Sequence, residues 1–298
     1  MAEPVEIEDP DDERLTDFRD LKRADRRPDR PGGRGLVLAE GAIVVRRLLA
    51  SPYPVRALLG VRRRYEELRD DLAGVPAPFY ITAPDTMAQA VGFHLNRGVL
   101  ASADRVEFPP VATLLARSSR VAVLEGVGDH ENLGAIFRNA AALGVDTVLL
   151  ADGCADPLYR RSVRVSMGTV LLVPFGRLPS WSEGGAELLR HNGFLLVALT
   201  PRVDAVPLSR WTASQPSWSV AGRFPSPAGS LTLRSAGAPP TGDRLAVLLG
   251  SEGPGLTEQA LGSADVLVRI PMAPGVDSLN VATAGAIAFA ALAPGSDR

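Results

Sequence analysis

Short, uninterrupted apolar runs alternating with helical patterns do most to restrict how this chain can fold. Arg120–Glu125, Thr147–Leu150, Thr169–Pro174, Phe194–Thr200, Leu245–Leu249 and Val266–Ile270 read as strands rich in Val and Leu. Helical patterns separate them at Asn132–Leu143, Leu158–Val165 and Trp181–His191, and a last Ala-rich helix opens at Ser278-Leu279-Asn280 and runs to about Leu292. A strand that is apolar on both faces must be covered on both. The pattern therefore predicts a mostly parallel sheet between helical layers. The class is α/β.

A smaller α/β unit precedes it. Gly35–Ala39, Val55–Val61, Pro78–Thr82 and Gly98–Ser102 read as strands; Ala42–Leu49, Arg62–Leu72 and Pro84–Val91 read as helices. This unit spans 35–105, a linker with a short helix at Val111–Ala116 spans 106–119, and the larger unit spans 120–298. Residues 1–34 form a charged arm closed by Pro28–Gly33. Leu15, Phe18 and Leu21 keep helical spacing within it, so the arm is either partly disordered or docked by a short helix. Residues 201–243 break the rhythm with a Pro-, Ser- and Gly-rich insertion holding Trp211 and Trp218, longer than an ordinary connection.

Charge narrows the partners. The formal net charge is -2, and 11 of the 34 acids and 8 of the 32 bases lie in residues 1–34, leaving 23 acids against 24 bases. Such a body carries no uniform basic coat, and any nucleic-acid surface on it is local. One local concentration exists: arginines 46, 47, 56, 62, 63 and 64 occur with no acid between Arg46 and Tyr65. It reads either as a solvated basic face or as a phosphate-contacting surface, for which the planar guanidinium is suited. Cys154 stands alone and His94, His130 and His191 are scattered, so neither a disulfide nor a metal site is expected. The acidic start has no apolar signal region, and Val281–Leu292 is too short to cross a bilayer, which leads to an expectation of a cytoplasmic protein.

Three loops of the larger unit suit chemistry. Gly128–Ala140 turns from strand into helix, with Asn132 placed to cap the helix, Gly134 allowing close backbone approach and Arg138 on the helix. Gly250-Ser251-Glu252-Gly253-Pro254-Gly255 makes a tight turn after a buried strand. Its order is not the dinucleotide fingerprint, which disfavours a nucleotide-dependent oxidoreductase, and no lysine-bearing phosphate loop is present. The third loop, Ile270–Asn280, carries Pro271, Pro274 and Gly275 into the last helix.

Together these motifs resemble the SpoU (TrmH-type) 2'-O-ribose RNA methyltransferases of the SPOUT superfamily. Asn132-Leu133-Gly134-x-x-x-Arg138-x-Ala140 is similar to the first family motif, Leu249-Gly250-Ser251-Glu252-Gly253-x-Gly255 to the second, and Ile270-Pro271-Met272…Ser278-Leu279-Asn280-Val281 to the third. Arg164-Val165-Ser166-Met167-Gly168 resembles the R-x-S-x-G segment, and residues 35–105 resemble the L30e-like substrate-binding domain often fused ahead of it. Where that domain has Pro-Gln-Gly, this chain has Leu95-Asn96-Arg97-Gly98 and keeps only the glycine.

The resemblance implies a C-terminal trefoil knot, an S-adenosylmethionine pocket and a homodimer with its active sites at the interface. Carried over, main chain at Gly250, Ile270 and Leu279, with Thr200, holds the cofactor. Arg138 activates the ribose hydroxyl as a base or as a phosphate clamp; Ser278 and Asn280 orient Arg138 or the ribose; Asn132 positions substrate or its own loop; Glu252 braces the loops. Arg46, Arg47, Arg62, Arg63, Arg64 and Arg164 are candidates for RNA contact. The L30e-like unit favours rRNA of the 23S type over tRNA, and an RNA-binding protein of this fold without turnover is the alternative from another class.

Overall fold

The computed structural model describes residues 2–19, 21, 35–213 and 244–292. Its contacts divide the chain into two compact units: Met1–Glu107 with Asp156–Leu172, and Phe108–Ala155 with Val173–Arg298.

The first unit contains strands β1 (Pro4–Glu6), β2 (Leu36–Glu40), β3 (Val55–Gly60), β4 (Phe79–Ile81) and β5 (Val99–Asp104), with helices α1 (Ala42–Leu49), α2 (Arg62–Glu67) and α3 (Pro84–Val91). The sheet order is β1-β4-β3-β5-β2. β4 runs parallel to β1 and β3, whereas β5 is antiparallel to β3 and β2. The start of the expected arm is part of this unit. β1 supplies an edge strand, and a 3-10 turn at Glu13–Phe18 buries Leu15 and Phe18 completely against Leu59, Tyr80 and Leu100. Each such side chain removed from water contributes about 1.5–3 kcal/mol, which outweighs the charge of the segment. Asp20 and residues 22–34, with Pro28–Gly33, lie outside the described residues.

Asp12 caps that turn by accepting from the Arg14 N–H at 2.9 Å. The hydrogen bond from the Arg14 side chain lowers the Asp12 carboxyl from its ordinary 3.8 to about 2. A depressed folded-state value contributes stability above 3.8 that is lost as pH falls through about 2. Amide resonances of Glu13–Phe18 are expected to titrate with a midpoint near 2 in NMR; a midpoint at 3.8 would contradict the cap.

The second unit begins with α4 (Val111–Ala116), β6 (Arg120–Leu124), α5 (His130–Ala142) and β7 (Thr147–Leu150). Residues 156–172, with α6 (Arg160–Val165), then belong to the first unit. The second unit resumes with β8 (Phe175–Arg177), α7 (Gly185–His191), β9 (Phe194–Leu199), β10 (Val206–Pro207) and α8 (Leu208–Ala213). It closes with β11 (Arg244–Leu249), α9 (Glu258–Gly262), β12 (Val266–Arg269) and α10 (Val281–Ala291). The order is β10-β12-β9-β11-β6-β7-β8, and every pairing is parallel. One face of the sheet packs Val121, Val123, Leu196, Ala198, Ala246 and Leu248 against Leu189 and Leu261. This is the sheet that the apolar runs predict.

Four details differ from the sequence reading. Thr169–Leu171 is a buried 3-10 turn of the first unit, and the strand lies later, at β8. A short apolar run looks the same whether it is buried as a strand or as a turn. The stretch after Pro201 is not wholly an insertion: β10 pairs with β12, and α8 follows with Leu208 and Trp211 buried. Residues 214–243, with Trp218, lie outside the described residues. The expected linker helix is α4, which buries Leu114 and Leu115 in the second unit. The Arg164–Gly168 segment, placed by its motif in the larger unit, groups with the first: Ser166 is fully buried, and the Met167 carbonyl accepts from Arg47 Nη1 at 2.6 Å. Among the described residues, no helix is long and apolar enough to cross a membrane.

Candidate functional site

Adjacent strands in the order β12-β9-β11-β6 end side by side in the second unit. Ile270, Thr200, Gly250 and Glu125 follow their C-terminal ends, the edge at which open parallel sheets hold ligands. Three of the predicted cofactor residues are thus the first residues beyond neighbouring strands. Thr200 is buried, with its N–H bonded to Val268 O at 2.9 Å. Ile270 and Leu279 are half-buried, and the chain between them, from Pro271 to Ser278, is exposed except at Met272.

The loop after β11 is closed on itself. Gly255 N–H donates to Ser251 O at 3.1 Å, and the turn is so tight that a Cβ on Gly250 would lie 2.1 Å from Gly255 C and 2.2 Å from Leu256 N. Only glycine fits there, because the obstruction is backbone. Gly126, with φ +68, meets Ser251 from the neighbouring strand end, where a Cβ would stand 3.2 Å from the Ser251 Cβ.

Helix α5 starts earlier than its sequence suggests. Asp129 is the cap, accepting from Glu131 N at 2.8 Å and Asn132 N at 2.9 Å, so Asn132 is not the cap. Its side chain is thereby available to a second loop. Asn280 Nδ2 donates to Asn132 Oδ1 at 2.7 Å and to Glu252 Oε1 at 2.6 Å, while Asn280 Oδ1 caps α10 through Ala282 N and Thr283 N. One amide therefore joins all three motif loops. Two turns further along α5, Asn139 Nδ2 donates to Ala282 O at 2.9 Å and fastens the two helices together.

Asn280 thus bonds Asn132 and Glu252 and not Arg138, which, with the ribose, was one of the two groups it was expected to orient. Arg138 is exposed on α5 and makes no ion pair or hydrogen bond among the described residues, and Ser278 is likewise exposed. Asn280→Ala is expected to lower the unfolding free energy by about 0.5–2 kcal/mol through the lost cap, read in denaturant melts. Asn280→Asp keeps the cap acceptor but puts a carboxylate against Glu252, and it should separate the capping role from the bridging one.

Glu125, Thr257, Trp181 and Asp129 were not singled out from the sequence. Glu125 is buried at the end of β6 and accepts from Thr257 N at 2.8 Å, Thr257 Oγ1 at 2.9 Å and Trp181 Nε1 at 2.7 Å. The available signal was an acid closing a strand that is otherwise apolar. Among the described residues, no group of three or more His, Cys, Asp or Glu is arranged to hold a metal ion.

The predicted RNA-contacting arginines lie in the first unit, and most are already paired. Arg46 bonds Asp71 at 2.9 Å, Arg62 pairs with Glu6, and Arg64 with Glu67 and the Arg97 carbonyl. Arg56 bridges Asp17 at 2.8 Å and Asp104 at 3.0 Å. The arginine run contains no acid of its own, but folding brings acids to it from positions 6, 17, 67, 71 and 104. Arg63 remains exposed, and Arg164 is half-buried on α6.

Comparison with known proteins bears on this arrangement. The profile of the SpoU rRNA Methylase family matches residues 119–290, which include all three bridged loops. An uncharacterized tRNA/rRNA methyltransferase of Mycobacterium tuberculosis is 54% identical over 283 residues, 94% of this chain and 88% of that protein. The 23S rRNA (guanosine-2'-O-)-methyltransferase RlmB of Vibrio vulnificus is 32% identical over 165 residues, covering 55% of each. The crystal structure of the AdoMet-bound rRNA methyltransferase from Sinorhizobium meliloti superposes with a TM-score of 0.72 over 97% of both chains at 21% identity, a likeness of fold. With its parallel sheet, its strand-end loops and the residues that bridge them all inside the matched span, the chain belongs to the SpoU rRNA Methylase family.

Proposed function

We propose that the protein is an S-adenosylmethionine-dependent RNA methyltransferase acting on a ribose 2'-hydroxyl, with rRNA as its substrate. The observation that carries this reading is the single amide of Asn280, which joins the Asn132, Glu252 and α10 loops beside the ends of β9, β11 and β12. The residues present suit the cofactor. A glycine turn too tight for any side chain offers main-chain amides and carbonyls, and Ile270 and Leu279 offer apolar flanks for a purine. In this reading Gly250, Ile270, Leu279 and Thr200 hold S-adenosylmethionine, which supplies a methyl group on a positively charged sulfur.

The chain's own task is to place and activate the ribose oxygen. A ribose hydroxyl is a weak nucleophile at neutral pH; as its oxygen bonds the methyl carbon and the carbon–sulfur bond breaks to leave a neutral thioether, its proton passes to solvent water. Arg138 offers a planar guanidinium whose fork matches phosphate oxygens. It acts as a clamp on the RNA phosphate and stabilises the developing alkoxide by charge. Its exposure on α5 without a competing acid supports that role. Ser278 orients the ribose, and Asn132, Glu252 and Asn280 fix the loop geometry.

The proposal extends to the family's trefoil knot, supported by a strand order that sets β12 beyond β9 instead of beside β11. It includes an L30e-like role in RNA binding for the first unit, supported by its mixed five-stranded sheet and by Arg63. The cytoplasm, where ribosomal RNA is found, is the proposed location. A homodimer is proposed through α10, whose exposed Thr283, Ile287, Ala290 and Ala291 lie at helical spacing and form an uncharged stripe of mostly apolar side chains. Ile287→Arg should sediment as a monomer where the parent sediments as a dimer. Incubating the protein with radiolabelled S-adenosylmethionine and separately purified rRNA and tRNA tests the substrate. Label in rRNA is expected; label in tRNA alone would replace that assignment.

A further inference from the structure

We infer that Glu125 is a positioning residue that sets the shape of the cofactor-binding turn by holding both of its ends. This inference rests on the reading of the Gly250 loop as a wall of the S-adenosylmethionine pocket. The main-chain N–H of Glu125 donates to Leu249 O at 2.9 Å, at the residue where the turn begins. Its carboxylate accepts from the N–H of Thr257 at 2.8 Å and from the Thr257 hydroxyl at 2.9 Å, immediately after the turn ends at Leu256. One residue, 132 positions away from Thr257 in sequence, therefore brackets the entire loop.

The bracket is asymmetric in a way that matters. The Leu249 contact belongs to the sheet ladder and survives any side-chain change, whereas the Thr257 contacts depend on two carboxylate oxygens. Trp181 Nε1 supplies a third donor, at 2.7 Å to Oε1. Glu125 is 93% buried, so these donors replace the water that a carboxylate would otherwise require. A carboxylate suits the site because all three partners are donors. A carboxamide presents two donors of its own and satisfies only one side of the set. Thr257 also caps α9 through its hydroxyl, to Ala260 N at 3.2 Å, so the carboxylate, the turn and the helix start are mechanically one piece. Gly126, the next residue, lies so near Ser251 of the turn that a Cβ on it would stand 3.2 Å from the Ser251 Cβ.

Glu125 hydrogen-bonds Trp181, Thr257 and Leu249 and none of the five expected catalytic residues, so its influence should fall on cofactor affinity. Glu125→Gln is expected to weaken S-adenosylmethionine binding about tenfold in calorimetry, the scale of one lost hydrogen bond to a charged group. The RNA KM, and kcat at saturating cofactor, should stay near the parent values. Hydrogen exchange of residues 250–257 in the ligand-free protein should accelerate, while exchange in β7 and α7 should not. Thr257→Val should reproduce the affinity loss and Thr257→Ser should rescue it, so the test survives a Glu125→Gln protein that fails to fold. Unchanged exchange in the turn, or unchanged affinity in Glu125→Gln or Thr257→Val, would overturn the inference. Faster exchange in a chain whose parent form binds no S-adenosylmethionine would leave the bracket standing but refute the pocket reading, and the positioning role with it.

Discussion

Arg138→Ala is expected to lose RNA methyl transfer by about 10²–10⁴-fold, the range for removing a group that assists proton loss in the transition state. S-adenosylmethionine affinity should stay within about twofold, because the side chain is exposed on α5 and makes no hydrogen bond or ion pair among the described residues to the loops assigned to the cofactor. Arg138→Lys separates two mechanisms. Lysine keeps the positive charge but loses the planar fork, so partial activity would mean that charge is the main contribution, and full loss would mean that bidentate phosphate recognition is required. Single-turnover rates at saturating cofactor and RNA measure this directly. Parental turnover in Arg138→Ala would remove the residue from the mechanism. Since Asn280 is bonded to Asn132 and Glu252, its replacement should act more broadly, on loop order as well as on rate.

Gly250→Ala should produce the second large effect, through shape instead of charge. The added methyl would sit 2.1 Å from Gly255 C and 2.5 Å from Gly255 O, and backbone cannot rotate out of the way as a flexible side chain can. Overpacking of this kind costs about 1–3 kcal/mol or more, so the turn must open. Cofactor affinity is then expected to fall by about tenfold to a hundredfold, with a lower melting temperature. Gly253→Ala is the informative control, since no atom lies within 4 Å of its Cβ position, although its φ of +83 adds a modest backbone cost. Calorimetric titration of both variants separates shape from backbone strain. Equal affinity in Gly250→Ala and the parent would mean that the turn does not form part of the pocket.

Much of the fold was legible because apolar runs of four to six residues record a strand covered on both faces. β7, α1, α3 and α4 begin and end where the sequence places them. What the sequence obscured follows from contacts made far along the chain. Leu15 and Phe18 sit in a segment whose composition resembles a solvated arm, yet they complete the first core. Thr169–Leu171 has the composition of a strand and the burial of one, but closes a turn in the other unit. The arginine-rich stretch seemed free of acids because Glu6, Asp17 and Asp71 reach it only through the fold.

The site was legible as three loops but not as a network. Small residues and glycines at strand ends mark the turn, whereas the bridge from Asn280 to Asn132 spans 148 positions and leaves no local trace. Asp129 took the capping role expected of Asn132 because it stands just ahead of the first helical residue, and Asn132 lies inside the first turn. Glu125 was hidden for a similar reason: a lone acid after a buried strand resembles a solvent-facing strand end until Thr257 and Trp181 are seen around it. The proposed trefoil knot has no local signature in the sequence, since connections in proteins are almost always unknotted.

The most direct test of the central claim is the chemical position of the transferred methyl group. Purified protein, rRNA and labelled S-adenosylmethionine would be combined, and the RNA digested to nucleosides and resolved by mass spectrometry. The expected result is label in a single 2'-O-methylnucleoside, with the adjacent phosphodiester resistant to alkali because its 2'-oxygen is blocked. Label in a base-methylated nucleoside, or none in any RNA despite cofactor binding, would contradict the account.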